Sequence, residues 1–179
     1  MSINKIRPTS PSRETESLLT GDSAIDELDL GPIKVKMKEE NVGKENWTYE
    51  ELEKVEDQYR AFLALHKRHP DKALVPTKLI DGFWHQHMLD SRKYFEDCDN
   101  CFGQYLHHFP YFGMRGDEDK QNLISSANET AELFASEFPN LESPYTTISE
   151  GAVCMTGDDI SAASCRIVDC TQCRISLCN

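Results

Sequence analysis

Residues 77–98, TKLIDGFWHQHMLDSRKYFEDC, decide how the chain is read. At about 100° per residue, Ile80, Trp84, His87, Ser91, Tyr94 and Cys98 fall within about 40° of one line, which predicts one amphipathic helix from Thr77 to Cys98. Upstream, Thr48 and Glu51 have the spacing of a capping box, and Leu52, Val55, Tyr59, Phe62, Leu63 and His66 then recur every three or four residues until Pro70. That is a second predicted helix. Downstream, Gly103 and Pro110 bracket a short turn of helix at most, and Gly113 and Gly116 mark a loop rich in aromatics. Asp117 then caps a third helix, in which Leu123, Ala127, Ala131, Phe134 and Phe138 share a face before Pro139. Its opposite face is acidic, the pattern of a solvated surface. The expected fold is therefore all-α: a small domain of three main helices centred on Trp84, Tyr94, Phe62 and the aromatic loop Phe102 to Phe112.

Composition sets the limits of that domain. All 16 aromatic residues of the 179-residue chain lie between Trp47 and Tyr145, so only the middle can assemble a core from large side chains. Residues 1–25 mix proline, serine and threonine with few apolar groups and are expected to form a disordered arm. From Ile25 to Met37, Ile33, Val35 and Met37 alternate with Lys34, Lys36 and Lys38, a pattern suited to an edge strand or an extended arm lying on the domain. The helical module then spans 26–145, and 146–179 is a linker with a cysteine-rich tail. A net charge of -12 removes the attraction to phosphate on which nucleic-acid binding depends, and disfavours anionic membranes in the same way. No apolar run approaches a membrane span, and the polar start Met1-Ser2-Ile3-Asn4-Lys5 is not followed by a signal-peptide core, so a cytoplasmic location is expected.

One run is more specific: Asp81-Gly82-Phe83-Trp84-His85-Gln86-His87-Met88-Leu89-Asp90, then Tyr94 and Cys98, then Tyr105-Leu106-His107-His108-Phe109-Pro110-Tyr111-Phe112-Gly113. It resembles the glycine-rich domain-containing protein-like family, with its Trp-His-x-His helix, Tyr-x3-Cys spacing and Leu-His-His segment, over about residues 26–140. The resemblance implies a helical module of uncharacterised function that is sometimes joined to other segments. Here the tail is rich in cysteine, with no glycine-rich stretch.

Four of the six histidines, at 85, 87, 107 and 108, invite a metal reading, since neutral imidazole is a common transition-metal ligand. On a helix, His85 and His87 project roughly 200° apart and cannot chelate one ion. Along one continuous helix, His87 and Cys98 are separated by roughly 16 Å of rise. Asp81 and His85, four residues apart, share a face; if the chain turns back at Gly103, His107 or His108 supplies a third ligand and leaves a position open for water. The purely structural alternative seats His87 in the core beside Trp84 and Tyr94, satisfied by backbone or Tyr105, while Asp81 orients His85. No catalytic triad, phosphate loop or His-Glu-x-x-His helix can be assembled, so an enzyme is not expected.

Seven cysteines are unevenly placed, five of them from Cys154 onward. Cys98 and Cys101 have thioredoxin-like spacing but end a helix beside Asp97 and Asp99, where the dipole and the carboxylates raise a thiol pKa, so Cys98 is read as a packed core residue. The tail repeats Cys165-Arg166-Ile167-Val168-Asp169-Cys170 as Cys173-Arg174-Ile175-Ser176-Leu177-Cys178. One reading wraps Cys165, Cys170, Cys173 and Cys178 around zinc or copper(I). Another makes 1–150 a folded leader read by a modifying enzyme, with a processing junction at Gly151-Ala152. Its core peptide would be modified among Cys154, Thr156, Ser161, Ser164, Cys165, Cys170, Thr171, Cys173, Ser176 and Cys178, as in ribosomal peptide precursors. The leading expectation is a non-enzymatic module that binds a protein partner or a metal and presents this tail; a plain interaction domain is the third.

Overall fold

The twenty residues Tyr49–Arg68 form the helix against which most of the others pack. The computed structural model describes residues 19–148 and 152–155, and in it this helix, α3, packs against elements on both sides. Before it come α1 (Ser23–Asp26) and α2 (Gly31–Glu39); after it come α4 (Lys78–Leu89), α5 (Ser91–Phe102) and α6 (Asp117–Glu137). A two-stranded antiparallel hairpin, β1 (Tyr145–Ile148) with β2 (Ala152–Met155), follows and pairs Tyr145 with Met155 and Ile148 with Ala152. Among the described residues, the regular structure is thus helical apart from this hairpin. The capping box forms as its spacing requires: Glu51 N–H donates to Thr48 Oγ1, and Thr48 N–H donates to Glu51 Oε2. Leu52, Tyr59, Phe62 and Leu65 are fully enclosed, and they meet Ile80, Phe83 and Trp84 of α4 and Phe134 of α6 in one core.

The Ile25–Met37 segment departs from expectation. It is neither a strand nor an extended arm but the helices α1 and α2. The alternation at 33, 35 and 37 conceals a helical spacing, since Leu30, Ile33 and Met37 are buried while Val35 is exposed, and Pro32 suits the first turn of α2. Buried Arg60 holds the segment down, donating to the carbonyls of Ile25 and Leu28 while pairing with Glu56, which also meets Lys34. The expected disordered arm is also too long. Residues 1–18 lie outside the described residues, but Thr20 and Ile25 are buried and Asp22 caps α1.

The predicted helix 77–98 is two helices. Asp90, with φ -80° and ψ 68°, ends α4 and begins α5. In a straight helix residues ten apart are separated by about 15 Å of rise. Here Trp84 Nε1 donates to Tyr94 Oη at 2.8 Å and His87 Nε2 lies 2.8 Å from Asp97 Oδ2, so α5 folds back against α4. Ser91, on the predicted apolar stripe, is exposed at the break. The aromatic loop is likewise not core: Tyr105, Phe109 and Tyr111 are exposed. Asp117 is the first residue of α6, and Gly116 occupies the cap.

Candidate functional site

Helix phase separates the two histidines of the Trp-His-Gln-His run. The His87 side chain is 2% exposed and faces α3 and α5, whereas that of His85 is 46% exposed on the other side. His87 is satisfied by neither backbone nor Tyr105. Its Nδ1 lies 2.9 Å from Tyr59 Oη and its Nε2 2.8 Å from Asp97, which Lys93 also reaches. Burial lowers its pKa, opposed by the Asp97 carboxylate. A carboxylate only accepts, so the neutral ring carries its proton on Nε2, and Nδ1 accepts from the Tyr59 hydroxyl. Tyr59 is itself fully buried, so this Asp-His-Tyr chain joins three helices and runs from a closed core at Tyr59 to a half-buried carboxylate at Asp97.

The other side of α4 faces a groove of about 740 Å³. Its walls come from the end of α3 (His66), the 72–78 loop, Asp81, Trp84 and His85 of α4, the 107–115 loop, and Leu123 of α6. Tertiary contacts hold these walls in place. Val75 N–H donates to Thr130 Oγ1 and Tyr145 Oη donates to the Val75 carbonyl. Asp119 accepts from the Gly113 and Arg115 backbone, and its carboxyl is held well below the usual range, chiefly by the Arg115 guanidinium. Gly113, at φ +85°, is in a left-handed conformation that disfavours a side chain, and a Cβ there would lie 2.5 Å from Leu123 Cδ2, so Leu123 would have to shift.

Gly103, at φ +68°, ends α5 in the left-handed conformation and turns the chain back, bringing the Leu-His-His segment over α4. His108 is the residue delivered. Its Nε2 lies 2.8 Å from Asp81 Oδ1, and its ring centroid is 4.7 Å from that of His85 and 4.8 Å from Trp84. His85 Nδ1 is 3.8 Å from Asp81 Oδ2, so Asp81 is engaged more closely by His108 than by His85. One ligand atom from each of Asp81, His85 and His108 lies within 4.8 Å of the others. His107 turns aside, its ring centroid 4.9 Å from Tyr105, although it still lines the groove.

Sequence reasoning placed His66 only on the apolar stripe of its helix. In the structure it lines the groove, packed edge-on against Phe62, with its Nε2 buried and without a hydrogen-bond partner. Burial lowers its pKa to about 4 and leaves the ring neutral at pH 7. Its spacing matched a core position, and no local signal marked it as different.

Cys98 and Cys101 are free and buried. Burial raises both thiol pKa values, that of Cys101 to about 11, with Asp97 adding to the effect. Desolvation therefore outweighs the helix-end electrostatics invoked from sequence. Neither thiol is activated, which agrees with Cys98 as a packed residue. Gly151, Thr156, Ser161, Ser164, Cys165, Cys170, Thr171, Cys173, Ser176 and Cys178 lie outside the described residues. Ala152 and Cys154 belong to β2, in register with Ile148 and Thr146. No described helix is long and apolar enough to cross a membrane. The family model UCP032817-like matches residues 24–132. No curated protein and no solved structure matches the chain.

Proposed function

The chain belongs to the UCP032817-like family, and on that footing we propose that it is a binding module whose helical body holds one divalent transition-metal ion, zinc foremost, through Asp81, His85 and His108. The observation that supports this is the convergence of two imidazoles and a carboxylate from separate elements, α4 and the loop after α5. Two histidines and one carboxylate, with a further position free, make a ligand set suited to zinc. Tetrahedral bonds of 2.0–2.1 Å need ligand atoms about 3.4 Å apart, so the side chains must adjust by about an ångström or less from their metal-free positions. The Gly103 turn and the clamp of Asp119 on the 113–115 backbone fix the loop that carries His108.

The test is metal stoichiometry of the full-length chain by elemental analysis and native mass spectrometry, before and after chelation. Loading with zinc is expected to give an ion that persists in Cys170→Ser/Cys173→Ser and is lost in His85→Ala and in His108→Ala. An ion lost only from the cysteine variant would move metal binding to the tail and overturn this reading, as would a chain that retains none.

A further inference from the structure

We infer that the groove beside Asp81, His85 and His108 receives a small organic acid with an apolar ring, its carboxylate taking the open position on the ion. The inference rests on the metal reading above and adds the ligand that the metal-bearing groove selects.

Charge supplies the first argument. An ion of charge +2 on one carboxylate and two neutral imidazoles keeps a net positive charge and favours an anionic donor in its remaining position. Of the three other cations lining the groove, Lys72, Lys78 and Arg115, Lys72 pairs with Glu129 and Arg115 with Asp119, and Lys78 too has an interaction within the protein, which leaves the ion as the principal anchor for a carboxylate. Shape supplies the second. A volume of about 740 Å³ lies within the range of small-molecule sites, and half-buried Phe112 and Leu123, backed by buried Leu74, Val75 and Trp84, form an apolar lining against which a ring can lie. Trp84 touches both ends of this arrangement, its ring centroid 4.8 Å from that of His108 and 5.8 Å from that of His66.

His66 supplies the third argument. Its buried Nε2 has no partner within the protein, and an unpaired buried nitrogen lowers stability unless a ligand group meets it. That nitrogen is closed off in the unliganded structure, and a hydroxyl on the ring of the acid would meet it once the imidazole turns toward the groove. The expected ligand class is therefore a hydroxylated aromatic monocarboxylate, bound by the ion at one end and by His66 at the other.

The test uses full-length protein loaded with cobalt(II), whose visible absorption reports its coordination, titrated with acetate, benzoate, 3-hydroxybenzoate and 4-hydroxybenzoate. Benzoate is expected to bind at least tenfold more tightly than acetate while shifting the cobalt spectrum, and one of the hydroxybenzoates several-fold more tightly again. His66→Phe, which keeps the ring but removes the nitrogen, should abolish the hydroxyl preference and leave cobalt binding unchanged. Phe112→Ala, in the 107–115 loop that lines the groove, should cut benzoate affinity about tenfold and serves if His66→Phe does not fold. Equal affinity for acetate and benzoate, or equal binding with and without metal, overturns the inference while the metal reading stands. Failure to retain cobalt at Asp81, His85 and His108 overturns both.

Discussion

His85 and His87 stand two residues apart on one helix and occupy opposite kinds of environment. His87 lies inside, bonded to Tyr59 and Asp97, and closes a contact among α3, α4 and α5. His85 lies on the groove side with His108 and Asp81, where the carboxylate is shared between two rings and the side chains remain partly accessible. The same side chain is thus structural where each ring nitrogen has a protein partner and available for a ligand where partners are shared. Environment decides the role, and helix phase decides the environment.

The sharpest way to break this contrast is to remove each ring in turn. His87→Ala empties a buried position and leaves the Tyr59 hydroxyl without its partner, while half-buried Asp97 keeps Lys93; it is expected to cost about 3 kcal/mol in denaturant unfolding. His85→Ala in metal-free protein should stay within about 0.5 kcal/mol of the parent. Similar losses at both positions would erase the distinction.

A second effect arises at His66. Its folded pKa of about 4 lies below the ordinary histidine value, so the fold favours the neutral ring. Stability from this group is complete above the unfolded pKa of about 6.5 and declines as pH falls from there toward 4, by up to about 3 kcal/mol. Thermal melts of His66→Phe between pH 7 and 4 should show a correspondingly shallower decline than those of the parent.

On the proposed site, metal is expected to sharpen the groove side alone. At a free zinc concentration about a hundred times the dissociation constant, stabilisation of about 2.7 kcal/mol is expected. It should vanish in His108→Ala, which calorimetry with and without zinc will show. The smallest effect concerns the turn that brings the sides together: Gly103→Ala places a Cβ on a left-handed residue and should cost about 1 kcal/mol. A chemical melt that detects no loss would mean that the turn can relax into another conformation.

Much of the fold was legible in order along the chain. The capping box at Thr48 and Glu51 marks the start of α3, and the spacing of Leu123, Ala127, Ala131, Phe134 and Phe138 outlines α6. The Leu30-Ile33-Met37 period was legible as well but was masked by the lysine alternation laid over it. For the candidate site, Asp81 and His85 at i and i+4 mark two candidate ligands, and the turn at Gly103 points to the Leu-His-His segment for a third.

What the linear order could not contain is anything that depends on chain direction after a break. Asp90 interrupts one apolar stripe at a single residue, and stripes on either side of such a break read as continuous because periodicity carries phase but not the angle between successive helices. That angle brings Asp97 to His87 and Tyr94 to Trp84. Likewise His107 and His108 are neighbours of equal chemistry, and only the path of the loop over α4 sends His108 to Asp81 and His107 toward Tyr105. The unpartnered nitrogen of His66 appears only once the groove has walls. The sequence by itself determined a helical class, the faces of its helices and a short list of chemically able side chains, because those follow from local periodicity and residue type. Which of them meet was decided by tertiary structure, because convergence depends on distances between segments that local periodicity does not encode.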